Sequence, residues 1–63
     1  MSLEITPLEI RAARKARGLT LTQLAEVLGV GRQTIHRWEA GTHRPTGVYE
    51  RLIRAWVRGE DGR

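Results

Sequence analysis

Arg32, Gln33, His36 and Arg37 lie within one short stretch, and each carries a side chain able to hydrogen-bond a base edge. Gln pairs with adenine through two bonds, and Arg pairs with guanine in the same bidentate manner. The apolar residues between them set the geometry. Ile35 and Trp38 are three apart and share one face of a helix, so Gln33, His36 and Arg37 point the other way, with Arg32 beside them at the helix start. A solvated polar face is the plain alternative, since any amphipathic helix has one. The neighbouring residues decide against it. Across 21–39, LTQLAEVLGVGRQTIHRWE, Ala25 falls midway along a first helix, Gly29 in a tight turn, and Leu24, Leu28 and Val30 at inward positions. Two helices joined this way offer the second to a DNA major groove.

The helices that position this unit have their own signals. Thr6-Pro7-Leu8-Glu9 reads as a start, with Thr6 as N-cap, Pro7 at the first helical position and Glu9 closing a capping box. That helix runs to about Arg17 and ends at Gly18, with Ile10, Ala13 and Leu8 turned inward. Thr20 and Gln23 repeat the capping logic for the second helix, which ends at Gly29. Gly31 is the N-cap of the third helix, 32–40, and supplies no side-chain acceptor. After the loop Thr42-His43-Arg44-Pro45, a fourth helix spans about 47–57, and 59–63 reads as a frayed polar tail.

Composition bounds the rest. A chain of 63 residues, read as a single domain over 1–63, buries only about 60% of its unfolded surface, so its stability is marginal. There is no Cys, which removes disulfides, and His36 and His43 lack a third metal-binding partner at suitable spacing. Neither a cofactor nor a metal is expected. No apolar run spans a membrane and 1–7 has no signal-peptide pattern, so the expected compartment is the cytoplasm. The net charge is +4, and Lys15 is the one basic residue that is not Arg. The planar fork of Arg suits phosphates and guanine edges, in keeping with the motif. Enzymatic chemistry is set aside: Glu9, Glu39 and Glu50 have capping or ion-pair explanations, and no nucleophile–base set appears.

Gly18-Leu19-Thr20, Leu24-Ala25, Leu28-Gly29-Val30, Thr34-Ile35 and Arg37-Trp38-Glu39-Ala40-Gly41 together resemble the phage-repressor/Cro-type helix-turn-helix family, also called XRE. The resemblance covers roughly 10–45 in order. It implies an all-α, lambda-repressor-like bundle of four or five helices whose third helix reads the major groove. By that similarity Arg32, Gln33 and Arg37 fall on base-reading positions, with His36 a fourth, and Thr34 on a phosphate position. Arg14 matches a family Arg that pairs with the Glu at position 39 and stays near the DNA backbone. Two departures stand out. Leu21 replaces a Gln that grips phosphate in many relatives, and Gly31 replaces Ser or Thr. Thr22 and Gln23 at the start of the second helix, with His43 and Arg44 in the later loop, are the candidates to make up the lost phosphate contacts.

The fourth helix carries two apolar stripes: Val48, Leu52, Ala55 and Trp56, and beside it Tyr49, Ile53 and Val57. Either both wrap into the core, or one is left for a second subunit. A two-fold dimer reading half-sites about one turn apart gains specificity that a monomer lacks, so Tyr49, Ile53, Trp56 and Val57 are expected at a homodimer interface, at least on DNA. Trp38, beside Ile35, is read as core and not as a base-stacking group. These readings converge on a bacterial or phage transcription regulator that represses by occupying a palindromic operator in double-stranded DNA. The rival is an antitoxin or adaptor whose fourth helix holds a toxin or other protein.

Overall fold

Two reciprocal capping boxes start the first two helices. The Thr6 hydroxyl accepts from the Glu9 N–H at 3.2 Å while Glu9 Oε1 accepts from the Thr6 N–H at 2.9 Å. Thr20 and Gln23 repeat the exchange at 3.1 and 2.9 Å. Each box satisfies donors that the helix itself leaves unpaired. A computed structural model describes residues 5–59, and they form α1 (Pro7–Ala16), α2 (Leu21–Leu28), α3 (Arg32–Ala40) and α4 (Val48–Arg58). Of the expected frayed tail, 59–63, Gly59 instead closes α4 as its C-cap, its N–H bonded to the Trp56 carbonyl, and 60–63 lie outside the described residues.

Between α2 and α3 the chain turns at Gly29, whose φ of +74° is disfavoured for a residue with a Cβ. The N–H of Val30 then reaches back to the Ala25 carbonyl at 3.0 Å, closing the end of α2. Gly31 opens α3 with no side-chain cap. Gly47 opens α4 at φ +59° and ψ −129°, a conformation essentially reserved for glycine.

The core is a cluster of Ile10, Leu24, Ala25, Leu28, Ile35, Trp38, Ile53 and Trp56. α3 packs on both α1 and α2, and α4 lies against α1. One inward expectation and one interface expectation need correction. Leu8 is 76% exposed: α1 packs through Ile10, with Ala13 half-buried behind it, and Leu8 at the first turn faces solvent. In α4 the inward residues are Ile53 and Trp56, one from each sequence stripe, at 0% and 3% exposure. They are therefore unavailable to a dimer interface, because packing on α1 selects the face between the stripes. Of the four interface residues named from sequence, Tyr49 is exposed and Val57 half-buried. The guanidinium of Arg17, exposed at the end of α1, lies 4.1 Å from the centre of the Trp56 ring and roofs it.

Candidate nucleic-acid interface

α3 owes its orientation to Ile35 and Trp38, at 0% and 4% exposure, which hold it against the other helices. Arg32, Gln33, His36 and Arg37 are all exposed on its remaining surface. At 1.5 Å rise per residue, Arg32 to Arg37 covers about 7.5 Å, or roughly two base-pair steps. The four side chains can thus address a short run of adjacent base edges. The half-exposed Tyr49 ring of α4 meets the Trp38 ring at a tilt of 53°, with centroids 6.2 Å apart.

The end of α3 is tied to two other parts of the chain. Arg14 Nε and Nη2 donate to the two carboxylate oxygens of Glu39 at 2.7 and 3.1 Å, and Nη1 donates to the Leu19 carbonyl at 2.9 Å. One guanidinium therefore joins α1, the approach to α2 and the last turn of α3. The side chains of Arg14 and Glu39 are only 12% and 8% exposed, so the pair is better shielded than a surface ion pair. The hydrogen bond with Glu39 raises the Arg14 pKa above its ordinary value, against the opposing effect of burial. These three bonds engage three of the five guanidinium donors of Arg14.

A second tie, not read from the sequence, fixes the loop after α3. The N–H groups of Gly41, Thr42 and His43 converge on the Arg37 carbonyl at 3.1, 3.2 and 3.4 Å. The Thr42 hydroxyl joins them at 3.4 Å. His43 is thereby held against the end of α3, and both it and the following Arg44 are exposed. Gly41 following a helical run was the signal for the turn, but the convergence on one carbonyl is a three-dimensional property.

The other phosphate candidates fall at the ends of helices. Thr22 and Gln23 are exposed in the first turn of α2, where Gln23 Oε1 is engaged by the Thr20 N–H. Thr34 is half-buried in the first turn of α3. Leu21 is half-buried against the core, so its side chain serves packing. Sequence reasoning passed over Arg11, which lies three residues before Arg14 and so on the same side of α1. That spacing was the available signal.

Among the described residues, no cluster of three or more His, Cys, Asp and Glu is placed to hold a metal ion. No helix there is long and apolar enough to cross a membrane. No curated protein and no solved structure matches the chain. A family model described as Helix-turn-helix does match, over residues 10–48. That span takes in most of α1, all of α2 and α3 and the first residue of α4, more than half of the chain. The protein therefore belongs to the helix-turn-helix family of XRE type, the DNA-binding transcription regulators.

Proposed function

We propose that the protein is a sequence-specific repressor that acts by occupying an operator, with α3 seated in the major groove. The observation that carries this reading is the division of α3 into a buried Ile35–Trp38 side and an exposed surface of Arg32, Gln33, His36 and Arg37. Arg32, Gln33 and Arg37 read base edges, while Thr22, Gln23, Thr34, His43 and Arg44, with the remaining donors of Arg14, hold the phosphates on either side. Two copies bind a palindromic site as a homodimer. Tyr49, with Val48 beside it, is the exposed apolar surface available for the contact, at 51% and 74% exposure.

Selection from a random duplex library tests the proposal. Enrichment of a palindrome with half-sites about one helical turn apart supports it. Recovery of no preferred sequence defeats it. Sedimentation of the chain on the enriched site tests the dimer: a single copy per duplex rejects it.

The same exposure of Val48 and Tyr49 supports a second reading, in which α4 holds a toxin or another protein and DNA binding serves autoregulation. Co-purification of a defined second protein, lost on Tyr49→Ser, distinguishes it from the homodimer.

A further inference from the structure

We propose that Arg11 and His36 form one phosphate-binding site, and that His36 contacts the DNA backbone instead of a base. The proposal rests on the DNA-binding reading above and refines it. Where α1, the start of α2 and α3 meet, the surface carries a depression of about 380 Å³ lined by Arg11, Arg14, Leu21, His36, Glu39 and Ala40. Arg32, Gln33 and Arg37 are not part of its lining, so His36 is the one member of the exposed α3 set that reaches it. Glu39 and Ala40 follow His36 by three and four residues and share its side of the helix.

The charges in this depression favour an anion. Glu39 is the carboxylate of the lining, and Arg14 neutralises it at 2.7 and 3.1 Å. Arg11 is then the uncompensated cation: it is exposed and, among the described residues, makes no hydrogen bond or ion pair. Leu21 forms an apolar wall. The N–H groups of Leu21 and Thr22 precede the first intrahelical bond of α2, which is donated by Leu24 to Thr20, and Gln23 is already capped by the Thr20 hydroxyl. A phosphodiester oxygen at this junction therefore meets Arg11, His36 and the spare donors of Arg14 together.

The test is duplex affinity as a function of salt, for the full chain and for Arg11→Ala, Arg11→Lys and His36→Ala, on the selected duplex and on a scrambled one. Loss of one phosphate contact lowers the slope of log K against log salt by about 0.9, which at 0.1 M salt corresponds to about an eightfold loss of affinity. Arg11→Ala should show that loss equally on both duplexes, and Arg11→Lys should keep most of the slope. His36→Ala should weaken both duplexes alike. An unchanged slope in Arg11→Ala overturns the site, as does a His36→Ala variant that relaxes preference at one base pair. Both residues are exposed, so unchanged helical circular dichroism is expected and guards against unfolding. If the site fails while Gln33→Ala still relaxes one base pair, the operator reading stands without it. Duplex binding with no sequence preference fails the operator reading but leaves the salt test decisive. No duplex binding at all overturns both.

Discussion

α3 and α4 are both amphipathic, yet their outward faces are built for different surfaces. α3 presents Arg32, Gln33, His36 and Arg37 to solvent, whereas α4 leaves Val48 and Tyr49 exposed ahead of a row of Arg residues. Their inward faces differ too. α3 has one possible buried pair, Ile35 and Trp38, while α4 offers two adjacent stripes and buries Ile53 and Trp56 from between them. A helix with a single apolar pair can sit in one orientation, so its outward residues are known as soon as the pair is seen. A helix with a broad apolar arc is oriented by its neighbour.

The largest effect that probes this contrast is on stability. Ile53→Ala and Ile35→Ala each empty a fully buried position and should cost about 2–5 kcal/mol. A chain this size has only about 3–9 kcal/mol in hand, so either variant should lose a large share of its stability and melt at a much lower temperature or denaturant concentration. Tyr49→Ala should cost far less. A comparable loss at Tyr49 would break the division of α4 into a buried pair and a free face.

Glu39→Ala should come next, at about 2 kcal/mol, because it strands the enclosed Arg14 guanidinium; a fully buried pair would cost about 3–5. The raised Arg14 pKa places the pH window. Stabilisation through a raised pKa is complete below the unfolded value and is lost as pH rises through the folded one, which here lies above the ordinary arginine range. The difference in urea midpoint between the variant and the parent chain should therefore stay constant from about pH 7 to pH 10. A shrinking difference over that interval would show that Arg14 titrates there.

On the α3 side, Arg37→Ala should leave melting intact and cost about 1–3 kcal/mol of binding, with preference relaxed at one base pair. A uniform loss on every sequence would move Arg37 to the phosphate set. The smallest change is a gain. Gly31→Ser supplies the missing cap of α3 at an extended backbone conformation, and the nearest atom to its new Cβ is Thr34 Oγ1 at 3.8 Å. It should raise stability by a few tenths of a kcal/mol, visible as a small upward shift in Tm.

Much of this was legible in the residues themselves. Thr6 with Glu9 and Thr20 with Gln23 carry their capping partners at fixed local spacing, and Gly29 and Gly41 mark ends that need a left-handed backbone. The exposed set on α3 followed from Ile35 and Trp38. Leu8 is exposed against its inward expectation because a first-turn residue sits at the edge of its helix, where packing by neighbours decides burial and periodicity does not.

The sequence alone determined the helices, their caps and the surface of α3, because each depends on residues within about one turn of one another. The tertiary structure alone decided which side of α4 is buried, how the loop gathers on the Arg37 carbonyl, and that Arg11 of α1 and His36 of α3 line one depression. Those outcomes join residues far apart in the chain. They depend on how helices pack against each other, and no local pattern encodes that angle.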